Sequence, residues 1–310
     1  MKKQIIGICG PTASGKTAVA VELALLINGE IISADSMQIY KGMDILSAKP
    51  TAEEMKGVPH HLLGFLDPKQ SFSASAFREA AEEKLKDIEA RGKTPILCGG
   101  TGLYIDALTR GMKLAEMADE KLRNTLKAEA EAPGGAERLH ARLKALDPEA
   151  AERYPAADVR RVIRSIEINL LTGKTRREME LIDAQTPEAY SAKLFAIDWD
   201  RRELYNRIDR RVDDMLKAGL INEVSELIKA DSNGHPTAIQ AIGYKEIAAG
   251  LRGELAMSDA IIKLKTASRN LAKRQLTWFK RDTRVTWLKA EGKTAAELAK
   301  EIYSIAGEII

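Results

Sequence analysis

A chain of 310 residues, 45% hydrophobic and 30% charged, can bury a large core and suggests about two domains, which excludes a disordered or low-complexity polypeptide. Its two cysteines exclude a disulfide framework, and no apolar run approaches the length of a membrane span. The first apolar run begins within a few residues of Met1 with no signal peptide before it, so a cytoplasmic protein without a membrane segment is expected.

The run Gln4-Ile5-Ile6-Gly7-Ile8-Cys9 predicts a buried strand, and Ala18-Val19-Ala20-Val21-Glu22-Leu23-Ala24 predicts a helix. Between them Gly10, Pro11, Thr12, Ala13, Ser14, Gly15, Lys16 and Thr17 match the pattern GxxxxGK[ST]. Glycines at 10 and 15 let the backbone curl so that successive N–H groups point inward, and the helix opening at Lys16 adds its positive end. Such a loop is built for a diphosphate: Lys16 would reach the outer oxygens, and the Thr17 hydroxyl would hold a Mg²⁺ ion.

A second strand is predicted over Glu30-Ile31-Ile32-Ser33-Ala34, followed by Asp35-Ser36-Met37-Gln38-Ile39-Tyr40. Asp35 can be a Mg²⁺ ligand, a general base, or the cap of the following turn. The Gln38 amide offers a donor and an acceptor side by side, which matches the edge of adenine, so carboxylate and amide together could hold a base. Pro95-Ile96-Leu97-Cys98 predicts another strand, leading into Gly99-Gly100-Thr101-Gly102. Those glycines would let the backbone approach a ligand with the Thr101 hydroxyl facing the cleft, or else Thr101 only starts a helix. Short buried strands alternating with helices predict an α/β fold, a P-loop NTPase-like parallel sheet whose ligands lie beyond the carboxyl ends of the strands. Asp35 and Thr101 are thereby expected near the loop.

From Lys113 to Lys193 strand signals vanish, and Ala, Glu and Arg recur at helical spacing with a break at Pro133-Gly134-Gly135. An all-helical insertion is expected over 113–193, with 1–112 and 194–310 forming the core. Leu194 to Trp199 predicts a return to the sheet, and the remainder is mostly helical apart from a strand-like Arg284 to Leu288. The net charge of +3 conceals two basic segments, one holding Arg160, Arg161, Arg164, Lys174, Arg176 and Arg177, the other running from Lys263 to Arg284. Either alone could be a solvated helix face; together with a diphosphate loop they favour a polyanion such as RNA. Cys9 and Cys98 read as core, adjacent His60 and His61 as structural, and Trp278 and Trp287 as packing residues.

GPTASGKT, DSMQIYKGMDI with AKPT, PHHLL, GGTGLYIDAL, RRVIRSIEI with TGK, LYNRIDRRVDDML with AGL, QAIGYKE and AKRQLTWFKRD follow one another over nearly the whole chain. In this order they resemble the tRNA dimethylallyltransferase family in its bacterial form. The resemblance implies transfer of a dimethylallyl group from dimethylallyl diphosphate to N6 of the adenosine just 3′ of the anticodon, in tRNAs reading codons that begin with U. It implies Asp35 as general base, Thr101 as a contact near the bridging oxygen of the donor, and Arg211 as a further cation on the diphosphate. The target base lies in the anticodon stem-loop and must be extruded into a deep basic channel. By the family pattern that channel is lined by Asp35, Ser36, Met37 and Gln38, by Thr101, by Arg160, Arg161, Val162, Ile163 and Arg164, and by Gln240, Ala241, Ile242, Gly243, Tyr244 and Lys245. Lys273, Arg274, Gln275 and Lys280 complete it, with Arg123 as a further candidate.

The chain departs from the usual pattern at Tyr154-Pro155-Ala156-Ala157-Asp158, at Gly64, at Leu46-Ser47 and at Leu271, none of them a catalytic position. Competing readings are an adenylate isopentenyltransferase acting on free nucleotide, a P-loop nucleotide kinase or ATPase, and an RNA-binding module switched by ATP. The long helical insertion argues against the first, since a mononucleotide does not require it. A monomer is expected.

Overall fold

The computed structural model describes residues 4–112, 119–230 and 238–307. They fall into two compact units, Met1–Thr109 with Tyr190–Ile310, and Arg110–Ala189. The first unit is organised by six strands, β1 (Gln4–Cys9), β2 (Gly29–Ser33), β3 (His60–His61), β4 (Thr94–Gly99), β5 (Ser191–Asp198) and β6 (Val285–Lys289). All pairings are parallel, in the order β3-β2-β4-β1-β5-β6. Because β1 and β4 are buried on both faces, each reads as an unbroken apolar run, which is why they were legible in the sequence. The predicted strand at 194–199 in fact begins at Ser191. Its first three residues are exposed or half-buried, so hydropathy misses them, whereas pairing with Gln4 to Ile6 includes them.

The helices of the first half are α1 (Lys16–Ile27), α2 (Ala52–Met55), α3 (Ala74–Ala90) and α4 (Gly102–Arg110). The second unit holds α5 (Glu120–Glu131), α6 (Gly135–Leu146), α7 (Pro148–Arg153), α8 (Val159–Thr172) and α9 (Arg176–Gln185); the first six residues of the predicted insertion, 113–118, lie outside the described residues. The chain then returns to the sheet and adds α10 (Arg201–Lys217), α11 (Leu220–Ala230), a 3₁₀ turn (Ala238–Gln240), α12 (Tyr244–Leu251), α13 (Met257–Lys280) and α14 (Ala295–Ala306). Among the described residues no helix is long and apolar enough to cross a membrane.

Both faces of the sheet are covered. Ile6, Ile8, Ile31 and Phe195 pack with α1 and α14 on one side, and Ile5, Ile32, Leu97 and Leu194 pack with Phe77 of α3 and Leu108 of α4 on the other. A third cluster joins Ile39, Tyr40, Met43 and Leu46 to α10, α11, α12 and Leu264 of α13. The insertion has its own core of Leu126, Leu139, Leu143, Tyr154, Val162 and Ile166. A backbone hydrogen bond from Tyr190 N–H to the Thr109 carbonyl, 3.3 Å, joins the points where the chain leaves the sheet unit and returns to it.

One charge sits inside the sheet edge. Glu30 is buried on β2, accepts hydrogen bonds from Nη1 and Nη2 of Arg91, and meets His61 Nε2 at 2.7 Å. Hydrogen bonds from Arg91 outweigh burial and, with His61, hold the Glu30 carboxyl down at about 2.

Candidate active site

Backbone at Gly10, Ala13 and Gly15 is left-handed or otherwise at positive φ, so the segment after β1 curls before α1 starts at Lys16. Three side chains from distant parts of the unit hold this loop from outside. Trp199 Nε1 donates to the Ser14 carbonyl at 2.9 Å, Arg207 Nε donates to the Ala13 carbonyl at 2.9 Å, and Gln275 Oε1 accepts from Thr12 N–H at 2.8 Å. Arg207 is itself stacked on the Trp199 ring, 4.3 Å from its centroid. Lys16 Nζ donates to the Pro11 carbonyl at 3.2 Å. From α10, Arg211 donates to Thr12 Oγ1 and to the Ala48 carbonyl, each at 3.2 Å. Burial lowers the pKa of Lys16 and of Arg211, and in both the neighbouring Asp35 works in the opposite direction.

Asp35 follows β2, and its Oδ1 accepts Met37 N–H at 2.9 Å, so the turn-cap role foreseen as one alternative is real for one carboxylate oxygen. Thr101 follows β4. Its Oγ1 accepts Ser36 N–H at 3.0 Å and donates to Ser36 Oγ at 3.3 Å, and its carbonyl accepts from Tyr104 and Ile105 N–H at the start of α4. Thr12, Lys16, Thr17, Asp35, Thr101, Arg207 and Arg211 all border one cavity of about 1650 Å³ within the sheet unit. Its farther walls include Ile45, Met215, Ile242, Leu264 and Leu271. Cationic and apolar side chains thus both line it. Cys98 lies under the loop and Cys9 in the core; burial pushes the Cys98 thiol up to about 11 and raises Cys9 further, so neither is an available nucleophile.

Several expectations change. The Gln38 amide does not wait for adenine: its Oε1 accepts from Ser33 Oγ at 3.1 Å, and its Nε2 donates to the Ala48 and Ser47 carbonyls at 3.1 and 3.4 Å. Gln275, expected on RNA, instead ties two loops together, accepting from Thr12 and donating to the Gly100 carbonyl at 2.9 Å. The glycines around Thr101 serve protein contacts. A methyl group on Gly99 would sit 2.1 Å from the Ala34 carbonyl oxygen, and one on Gly102 would sit 2.3 Å from Trp278. Trp278 therefore packs over the start of α4, where its Nε1 donates to Asp106.

Among the other candidates, Ser36 and Met37 border the cavity with Gln240, Ala241, Ile242 and Arg274. Ala241 and Tyr244 are buried in the third cluster, and Gly243 is the buried N-cap of α12, its N–H held by Glu246 at 2.9 Å. Lys245, Lys273, Arg274 and Lys280 are exposed. Within the insertion, Arg160 and Arg161 are exposed on α8, whereas Val162 and Ile163 are buried in that unit's core. Arg123 and Arg164 converge on Glu167, a fully buried carboxylate that also accepts Asp119 N–H. Burial would raise the Glu167 pKa, but the hydrogen bonds from Arg164, Arg123 and Asp119 prevail and lower it. Tyr154, one of the departures, is buried among the guanidinium groups of Arg153, Arg161 and Arg176, each 5.3 to 5.7 Å from its ring centroid. Leu46, another, is buried in the third cluster.

Sequence reasoning missed Arg207 and Trp199, which hold the loop. Spacing could have found the first: Arg207 stands four residues before Arg211 on one helix, hence on the same face.

The fold and the site together define a P-loop α/β protein with a cation-lined cavity at the carboxyl ends of its strands. The model of the IPP transferase family matches residues 38–282, and the chain belongs to that family. It is 45% identical over 295 residues to the tRNA dimethylallyltransferase of Geobacter metallireducens, covering 94% of each chain, and 45% identical over 312 residues to that of Bacillus subtilis, covering 99% of this chain and 98% of the relative. Among solved structures, a tRNA isopentenylpyrophosphate transferase from Bacillus halodurans aligns with a TM-score of 0.74 and 41% identity, over 100% of this chain and 97% of that one. A eukaryotic dimethylallyltransferase acting on tRNA aligns with a TM-score of 0.83 and 29% identity, over 99% of this chain and 79% of that one.

Proposed function

We propose that the protein transfers a dimethylallyl group from dimethylallyl diphosphate to N6 of the adenosine 3′-adjacent to the anticodon (position 37), in tRNAs reading codons that begin with U. The products are N6-dimethylallyladenosine and diphosphate. The observation that carries this reading is that Lys16, Arg207 and Arg211 share one cavity with the carboxylate of Asp35, in a chain of the IPP transferase family. A kinase would use the same loop, but its relatives would not be tRNA prenyl-transferring enzymes.

In this reading the donor's C1–O bond breaks as the N6–C1 bond forms. Negative charge grows on the departing diphosphate, and the Lys16 ammonium, the loop N–H groups and the guanidinium groups of Arg207 and Arg211 meet it. Their depressed proton affinities reflect enclosure, which strengthens each interaction with an anion. Asp35 takes the N6 proton as positive charge develops on the nitrogen. Its Oδ1 bond to Met37 N–H fixes the carboxylate's orientation. Thr101, tied to Ser36, steadies the turn that carries Asp35 and borders the place of the bridging oxygen.

Thr17 borders a small cavity beside Lys16, and its hydroxyl together with the oxygens of a diphosphate forms a donor set that suits Mg²⁺. A bound Mg²⁺ would neutralise diphosphate charge and so make it a better leaving group. The exposed Arg160, Arg161, Lys273, Arg274 and Lys280 would meet the phosphates of the anticodon stem-loop. The reading takes the protein to be a cytoplasmic monomer.

Radiolabelled dimethylallyl diphosphate offered separately with tRNA, AMP and ATP tests it. Label in tRNA alone, at the adenosine beside the anticodon, is expected. Label in a free nucleotide would establish an adenylate isopentenyltransferase instead, and no transfer at all would remove the reaction.

A further inference from the structure

The motif GMDILSAKP has no part in the reaction as described above, yet it borders the cavity over residues 44–49. Its backbone forms a single helical turn: Ser47 N–H bonds to the Met43 carbonyl at 3.3 Å, Ala48 N–H to Ile45 at 2.9 Å, and Lys49 N–H to Asp44 at 2.9 Å. The leading N–H groups of such a turn have no partner within it. Here all three bond to one side chain from another helix. Glu223, in the first turn of α11, accepts Asp44 N–H at 2.9 Å and Ile45 N–H at 2.8 Å on Oε2, and Leu46 N–H at 2.7 Å on Oε1. A concave run of N–H groups is an anion site, and this chain fills it with its own carboxylate.

The other end of the turn reaches the chemistry. Ala48 has φ +48°, unusual for a residue with a side chain, and its carbonyl accepts from Arg211 at 3.2 Å and from Gln38 at 3.1 Å. Arg211 in turn holds Thr12 of the P-loop. A continuous line therefore runs from Glu223 through the 44–48 turn and the Ala48 carbonyl to the guanidinium that faces the diphosphate position. Glu223 itself does not border the cavity.

We propose that Glu223 is a positioning residue for the transfer reaction: it fixes the 44–48 turn, and the turn's Ala48 carbonyl orients Arg211 toward the departing diphosphate. The role rests on the reading of Arg211 given under the proposed function. A glutamine at 223 keeps the shape but loses the charge, and one of its two terminal groups becomes a donor facing donors.

The test is a double-mutant cycle between Glu223→Gln and Arg211→Ala, read by calorimetric binding of inorganic diphosphate with Mg²⁺, by KM for the donor and kcat with tRNA, and by tRNA affinity. Glu223→Gln is expected to weaken diphosphate binding and kcat/KM for the donor by about tenfold, with tRNA affinity unchanged. In the Arg211→Ala background the same substitution should change diphosphate binding less than about twofold, because the guanidinium it orients is gone. Glu223→Asp, which keeps the charge, should recover part of the loss, and it takes the place of the glutamine variant in the cycle if that protein does not fold. Equal losses in both backgrounds, or unchanged diphosphate binding in Glu223→Gln, would overturn the proposal. A wild-type protein that binds diphosphate yet labels no tRNA would sink the reaction while leaving the binding cycle able to decide the role of Glu223.

Discussion

Replacing Gln275 by methionine separates two roles that the sequence could not. The side-chain amide accepts Thr12 N–H at 2.8 Å and donates to the Gly100 carbonyl at 2.9 Å, so it spans the P-loop and the loop that leads into Thr101. Methionine keeps the length and volume but offers neither bond. At about 0.5–1.5 kcal/mol net per hydrogen bond, the pair contributes about 1–3 kcal/mol. If that energy holds the two loops in register, its loss appears as misplacement of the groups around the diphosphate. At about 1.4 kcal/mol per factor of ten, kcat/KM for dimethylallyl diphosphate should fall roughly 5- to 150-fold. The assay is steady-state transfer with varied donor at saturating tRNA, beside equilibrium tRNA binding, which should stay within about twofold of wild type. A loss of tRNA affinity as large as the loss of kcat/KM would refute the reasoning and return Gln275 to the RNA surface.

Asp35→Asn should bind donor and tRNA normally while kcat drops by roughly 10² to 10⁴, the usual contribution of a general base; normal turnover would reduce Asp35 to the turn cap it also is. Alanine at Arg160, Arg161, Lys273 and Arg274 should weaken tRNA binding and flatten its salt dependence by about one unit of slope for each phosphate no longer neutralised, and an unchanged slope would mark these charges as solvated surface. Because Arg91 and His61 depress the Glu30 pKa to about 2 from an ordinary 4.5, this group stabilises the fold above 4.5, and that stabilisation is lost as pH falls toward 2. Denaturant titrations across that window should show a shallower pH dependence in Arg91→Ala than in wild type; identical slopes would mean that the pair is not what holds the carboxyl down.

What the sequence disclosed was local. The P-loop, its strand and its helix are contiguous, and Asp35 and Thr101 sit directly after apolar runs, so strand order alone brings them together. What it concealed depends on interactions between residues far apart. Gln38 and Gln275 carry side chains capable of reading a base, and only the fold shows that backbone groups at 48 and at 12 and 100 already occupy them. The glycines at 99 and 102 suggested a ligand's approach because nothing local indicates the Ala34 carbonyl or the Trp278 ring above them. The two-residue strand β3 is too short to carry a pattern and exists only by pairing with Ile31 and Ile32. Val162 and Ile163, by contrast, could have been placed. With Ile166 they form an apolar stripe at helical spacing, a sign of core that the family pattern overrode.

The bond between Tyr190 and Thr109 gives the helical unit a particular standing in the molecule. To the sheet, everything in residues 110–189 is one long loop whose two ends are already clasped. Loop closure grows only with the logarithm of length, each doubling adding about 0.6 kcal/mol. The number of helices beyond the clasp can therefore change at little cost to the pairing of β1 with β5. Such an arrangement lets the helical unit vary by insertion and deletion, while the register that aligns the phosphate loop, Asp35 and Thr101 stays as it is.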